Sequence, residues 1–196
     1  MTFDELRRAL EARSRRDFDF GSIPPEHAPR EGFAHAAVLV PIVEREGEQQ
    51  VLLTRRHLDL RHHPGQVSFP GGRIEPGEEP LDAALREAEE EIGLEIGAAE
   101  ILGRLDDTLV LASPFRLTPI VARAPYPYPY AARQGEVDEI LFVPLAALAR
   151  PGTHHTEARE AYGMFHEVHF YDVGPVHVFG ATARILTQLL GVWRSE

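Results

Sequence analysis

Cysteine is absent from the 196 residues, which excludes both a disulfide framework and a thiolate metal centre. Positive charge is scarce: 20 Lys and Arg stand against 31 Asp and Glu, a formal net charge of −11. That excess argues against nonspecific binding of nucleic acid or of an anionic membrane. Long apolar runs are also missing, and none would span a bilayer. Met1 to Arg16 is polar and charged without an apolar signal core. The expectation is a cytoplasmic protein that acts on a small molecule, as a monomer or homodimer. The rest of the composition, 43% apolar and 26% charged, is that of a globular domain with a single core. The expected organisation is an N-terminal helix and extended arm over residues 1–32, packed on a domain over residues 33–196.

What is present is concentrated between Gly71 and Leu94, GGRIEPGEEPLDAALREAEEEIGL. Pro80 suits the first position of a helix and Gly93 the residue just past its end, so a helix is predicted from Pro80 to Ile92. Leu81, Ala84, Leu85, Ala88 and Ile92 recur at spacings of three and four and mark its buried face. At about 100° per residue, Glu87, Glu90 and Glu91 share another stripe while Glu89 points elsewhere. That stripe is locally unfavourable, because like charges three and four residues apart repel and carboxylates in a last turn face the negative end of the helix dipole. Each effect is worth a few tenths to about 1 kcal/mol. One reading is a solvated acidic face. The other is a divalent cation between the carboxylates, since Mg²⁺ takes oxygen ligands and is usually held by one or two carboxylates plus substrate phosphates.

The wider spacing favours the cation. Five residues separate Gly72 from Glu78 and seven separate Glu78 from Arg86-Glu87; Glu90-Glu91 and Gly93-Leu94 follow. The pattern resembles the Nudix box, with Ala88 smaller than the usual aliphatic residue. The resemblance runs from about Phe33 to Leu190 and implies a Nudix α/β/α sandwich on a mixed β-sheet, an α/β fold. It further implies a metal-dependent hydrolase using Mg²⁺ or Mn²⁺, with Glu87 and Glu91 as metal ligands. Glu90 would be a further ligand or the base that prepares the attacking water. Arg86 and Glu78 would support the cluster, and Gly72 would let the backbone turn into it.

Immediately upstream, LLTRRHLDLRHHPGQVSFPGG forms a basic loop suited to phosphate groups. Leu52-Leu53-Thr54, Arg61, Gly65 and Phe69-Pro70-Gly71-Gly72 resemble the signature of coenzyme A pyrophosphatases among Nudix proteins. Arg55, Arg61 and Gly71 are the substrate-binding candidates. The chain differs at Arg56 and His57, where the family has small residues, and the added charge suits the 3′-phosphate of coenzyme A. Adjacent His62 and His63 read as phosphate contacts or surface residues.

Elsewhere, Thr2 and Glu5 form a capping box ahead of a short helix with Phe3, Leu6 and Leu10 on its apolar stripe. FAHAAVLVPIV over Phe33 to Val43 predicts a buried strand, with His35 as a core histidine, and Gln50 to Thr54 its hairpin partner. Ile101 to Ala112 predicts a strand and bend, with Asp106 and Asp107 as turn residues, and Phe115 to Ala124 another strand. Pro125 to Tyr130 alternates proline and tyrosine, which excludes a central strand and predicts a packed loop. Glu136 to Pro144 predicts a strand that resembles the region from which Nudix enzymes bring a second acid to the metal, making Glu136 and Glu139 candidate bases. Leu145 to Leu148 predicts a short helix. His166 to Phe179 predicts a hairpin about Val173-Gly174-Pro175, with Phe165, Val168, Phe170, Val176 and Val178 in the core, and Gly180 to Leu190 a final helix.

The function implied is hydrolysis of the pyrophosphate of coenzyme A and its derivatives to 3′,5′-ADP and (acyl)phosphopantetheine. The alternatives are another nucleoside diphosphate derivative, such as ADP-ribose or NADH, and a noncatalytic nucleotide-sensing module.

Overall fold

The computed structural model describes residues 1–194. Its elements in chain order are α1 (Phe3–Ala12), β1 (Ala34–Arg45), β2 (Glu48–Arg56), β3 (Val67–Ser68), β4 (Gly71–Arg73), α2 (Pro80–Ile92), β5 (Glu100–Arg104), β6 (Thr108–Val110), β7 (Phe115–Arg123), β8 (Val137–Pro144), α3 (Leu145–Leu148), β9 (His154–Ala161), β10 (Met164–Val173), β11 (Val176–Phe179) and α4 (Gly180–Trp193). No helix among the described residues is long and apolar enough to cross a membrane.

The main sheet is mixed. Its path runs β3-β2-β1-β7-β5, with β4 paired to β1, β6 to β7 and β8 to β2. Strands β1 and β7 are parallel and the other pairs antiparallel. From Ala36 to Val43, β1 is buried at every position, as a central strand covered on both faces must be. Ala37, Leu39 and Val43 face α2 in one core layer. Val38, Val40 and Ile42 face the other, which contains Phe3, Leu6 and Leu10 of α1 and Ile185, Leu186 and Leu189 of α4. Helices therefore flank the sheet, as the sandwich requires.

Two core assignments need correction. His35 is exposed, because the continuous burial of β1 begins only at Ala36. An apolar neighbourhood in sequence does not put a strand's first residues under cover. Phe165 is 78% exposed; it lies near the turn end of the β9–β10 hairpin, opposite Glu160. Phe170 and Val176 are half-buried, whereas Val168 and Val178 are core.

β9 had no signal in the sequence. Its eight residues HHTEAREA lack apolar alternation, and it is a strand because β10 pairs with it along its whole length. Asp106 and Asp107, expected in a turn, instead lie buried in the break between β5 and β6, which pair in succession with β7, and they have a structural task. The side chain of Asp106 accepts hydrogen bonds from Arg13 and from the Arg16 backbone N–H, both at 2.8 Å. That of Asp107 is engaged by Arg104, Arg116 and Thr118. The tyrosines of the Pro-Tyr loop also pack locally: the Tyr130 hydroxyl donates to the Pro125 carbonyl at 2.8 Å, and Tyr128 accepts from the Glu95 N–H at 3.1 Å.

Candidate active site

α2 begins and ends where its punctuation dictates. Pro80 is in the first turn, and Gly93 adopts a left-handed φ of 68°, which only glycine takes without steric cost. The Gly93 N–H reaches the Glu89 carbonyl at 3.0 Å and the Leu94 N–H reaches that of Ala88 at 3.4 Å, closing the helix end. With Ala84, Leu85, Ala88 and Ile92 buried against the sheet, Glu87, Glu90 and Glu91 are turned toward β4 and the segment preceding β8.

The three carboxylates lie in different environments. Glu90 is exposed, Glu87 is partly covered, and Glu91 is 6% exposed. The Glu91 pKa is pushed up to about 8. Burial is the main cause, opposed by the charge of Arg56 and a hydrogen bond from the Gly71 N–H, and reinforced by the negative charges of Glu87 and Glu136. Glu91 is thus a carboxyl held mainly in its protonated form at neutral pH, and a cation beside it would favour its ionisation.

Arg86 supports the other acids. Its guanidinium donates to Glu78 through Nε at 2.9 Å and Nη2 at 3.1 Å, and to Glu87 through Nη1 at 2.7 Å; Glu90 lies at 3.5 Å. Nη2 also reaches the Arg73 carbonyl at 3.1 Å, fixing the fork to β4. Hydrogen bonds from Arg86 and from the Glu75 N–H hold the Glu78 carboxyl below its ordinary range.

Glycines allow the close approach. A Cβ on Gly71 would lie 2.3 Å from the Ala37 carbonyl oxygen, and one on Gly72 would lie 2.4 Å from the Glu87 carboxylate. The first obstacle is backbone and the second is the end of a side chain that can swing away. Gly72→Ala is therefore expected to fold with a melting temperature near the parent's. It should lose about 100-fold in turnover, the scale of a 1 Å misplacement, because Glu87 is displaced. Normal turnover in a folded Gly72→Ala protein would show that the position of Glu87 does not matter.

Two basic residues join the cluster without belonging to the box. Arg56, at the end of β2, carries a charge felt by Glu91. Arg133 pairs with Glu90 at 2.8 Å and with Glu136 at 3.5 Å. Its N–H donates to the Glu91 carbonyl at 2.9 Å, and the Ala131 N–H donates to that of Ile92 at 3.0 Å, so this loop is clipped to the end of α2. A basic residue three positions before Glu136 was the only sequence signal for Arg133. Glu139 is instead paired with Arg55 at 3.1 Å across the β2–β8 ladder, while Arg61 is exposed on the loop after β2. Of the two acids in this segment, Glu136 is the one whose charge reaches Glu91.

Among the described residues, no three His, Asp or Glu side chains already stand as a cage for an ion; Arg86 engages Glu78, Glu87 and Glu90. The donor set nonetheless suits a hard divalent cation, which needs only one or two carboxylates beside water and phosphate oxygens. The buried, hard-to-ionise Glu91 beside Glu87 supplies them.

A sandwich on a mixed sheet, with a Gly-turned acidic helix against β4, defines a Nudix domain, and the NUDIX domain model matches residues 33–165; the chain belongs to the Nudix family and is a Nudix hydrolase. It is 39% identical over 155 residues to a protein of Cronobacter sakazakii named "Uncharacterized Nudix hydrolase NudL", covering 79% of this chain and 80% of that one. The protein of that name in Escherichia coli K12 is 37% identical over the same proportions. Among solved structures, a MutT/nudix family protein from Enterococcus faecalis aligns with a TM-score of 0.53 at 16% identity, over 99% of this chain and 75% of that one, a likeness of fold. Nudix hydrolases generally use divalent metal ions and act on small molecules.

Proposed function

We propose that the protein is a metal-dependent diphosphatase of coenzyme A and its derivatives, yielding 3′,5′-ADP and (acyl)phosphopantetheine. The observation that carries the reading is the joining of two segments at Gly71. The loop bearing Arg61 and Gly65 leads through Phe69-Pro70 into Gly71, whose N–H holds the buried Glu91. A basic loop for phosphates and an acidic pocket for a cation are thereby fixed to each other through β4.

Glu87 and Glu91 would hold Mg²⁺ or Mn²⁺, which when bound supplies neutralisation of the pyrophosphate oxygens and a more acidic water. Arg86 keeps Glu87 and Glu90 oriented through its fork to Glu78. Glu90 or Glu136 takes the proton of the attacking water, with Arg133 holding the two acids together. Glu139, tied to Arg55, serves as the alternative base and orients that arginine toward substrate. Arg61, exposed on the loop after β2, reaches for the distal phosphate. A cytoplasmic location suits such a substrate.

The test is hydrolysis of coenzyme A, ADP-ribose and NADH with Mg²⁺ or Mn²⁺, products identified by mass and chelator as control. Coenzyme A is expected to be turned over fastest. Arg61→Ala should lower kcat/KM for coenzyme A by about 10-fold or more, the scale of one charge-assisted contact, and that for ADP-ribose much less. Preferred turnover of ADP-ribose or NADH, or equal losses on all three, would reject coenzyme A as substrate. No turnover of any would favour a noncatalytic nucleotide-binding role.

A further inference from the structure

β9 forms one edge of a separate three-stranded sheet in the order β11-β10-β9. The opposite edge, β11, lies against β3. Among the described residues nothing pairs with the outer side of β9. All of its residues from His154 to Glu160 are exposed, and only Ala161 is half-covered. The strand is eight residues long and contains no proline, and its ladder with β10 is unbroken from His154 to Ala161. A long unpaired edge without proline or bulge is a template for another strand, and the charges that it carries repel every strand that does not complement them.

The charges on this edge match a particular partner. Glu157 and Arg159 project from the same face, since side chains two apart along a strand do so, and in the single chain they pair with each other at 2.5 Å while remaining 44% and 61% exposed. An antiparallel pairing of the strand with itself, about a twofold axis at Ala158, sets each Glu157 opposite the partner's Arg159. Thr156 then faces the partner's Glu160, and His155, whose ring stacks on Phe170 at 4.8 Å, faces the partner's Ala161. Shifting the axis by one residue either way sets Glu157 against itself or Arg159 against itself, and like charges directly opposite destabilise a ladder. The axis at Ala158 also lies near the middle of the strand, so seven of its eight residues, His155 to Ala161, find a partner. A self-complementary patch of this kind is what a twofold homodimer requires.

We infer that β9 is a homodimer seam, pairing antiparallel with β9 of a second copy about Ala158 to make one six-stranded sheet across two subunits. Sedimentation of the full chain is expected to show a concentration-dependent dimer. Glu157→Arg or Arg159→Glu alone, each setting like charges opposite, should weaken dimerisation at least tenfold, and the double exchange Glu157→Arg with Arg159→Glu should restore it. Because the chain has no cysteine, Ala158→Cys reports the axis directly: directly opposed Cβ atoms lie within disulfide reach. Oxidation with oxidised glutathione should give a covalent dimer with Ala158→Cys and none with Thr156→Cys. A parent chain that stays monomeric at about 200 μM, a dimer indifferent to both charge reversals, or cross-linking no better through position 158 than through 156, would overturn the inference.

Discussion

Glu91→Gln is expected to produce a protein at least about 1,000-fold less active, a loss of roughly 4 kcal/mol in transition-state stabilisation, that is more stable than its parent when metal is withheld. Both effects come from one carboxyl. The pKa of Glu91 is pushed up to about 8 in the folded chain against an ordinary value of 4.5. Below pH 4.5 the group is protonated whether the chain is folded or not, and it costs nothing. Between 4.5 and 8 the folded chain keeps a proton that the unfolded chain releases, so stability falls as pH rises. Above pH 8 the full cost is present, on the order of 5 kcal/mol. Glutamine removes the titration while its carbonyl can still accept from the Gly71 N–H. Denaturation with chelator should therefore show parent and variant converging near pH 4.5 and separating steadily toward pH 8. Mg²⁺ or Mn²⁺ should then stabilise the parent by binding the folded state alone and leave the variant unmoved. Parallel pH profiles, or equal metal stabilisation of both proteins, would remove Glu91 from the cation site.

Asp107→Ala is expected to be strongly destabilising although it lies outside the acidic cluster. The side chain of Asp107 is 1% exposed. It accepts from Arg116 Nε at 2.5 Å, from the Thr118 hydroxyl at 3.0 Å and from Arg104. Burial alone would raise its pKa; the hydrogen bonds from Arg104 and Arg116, then Thr118, outweigh that and hold it below 3.8. Its backbone also anchors the N-terminal arm: the Phe18 N–H donates to its carbonyl at 3.1 Å, and its N–H donates to the Asp17 carboxylate at 2.8 Å. Breaking a buried pair costs about 3–5 kcal/mol. Arg104 and Arg116 are about a third exposed and can turn to water, which reduces the loss to about 2–4 kcal/mol. A fall in melting temperature of roughly 5–12 °C follows for a chain of this size. Since the folded pKa is depressed, the contribution is present above pH 3.8 and lost as pH falls through the folded value. Asp107→Asn should therefore differ from the parent at neutral pH and approach it in acid. Below its melting temperature the variant should keep turnover, because none of these partners touches the box helix.

What the sequence revealed depended on how local the cause was. α2 runs from Pro80 to Ile92 as predicted, since its limits are written in Pro80 and Gly93 and its face in five small or branched residues. The box acids were equally legible because a helix fixes their relative directions. His35 and Phe165 misled for the opposite reason: whether an apolar or aromatic position is covered depends on where the neighbouring layer ends, which no window of residues contains. β9 was invisible because its strand character is borrowed from β10. Glu139 and Glu136 were indistinguishable in the sequence; β2 claims one through Arg55, and the turn at Arg133 presents the other. Arg56 was legible as charge but not as a neighbour of Glu91, since the β2–β8 pairing that places it joins residues far apart in the chain.

The clip between Arg133 and the end of α2 has a mechanical consequence. Carbonyls at the C-terminus of a helix ordinarily face solvent, yet those of Glu91 and Ile92 are spent on the backbone of the loop that carries Glu136. Loop and helix thus translate as one body, and the gap between Glu90 and Glu136 is gauged by a single guanidinium rather than by the length of the intervening chain. The stretch from Pro125 to Tyr130 can then be reshaped to suit a different guest while the acids keep their spacing.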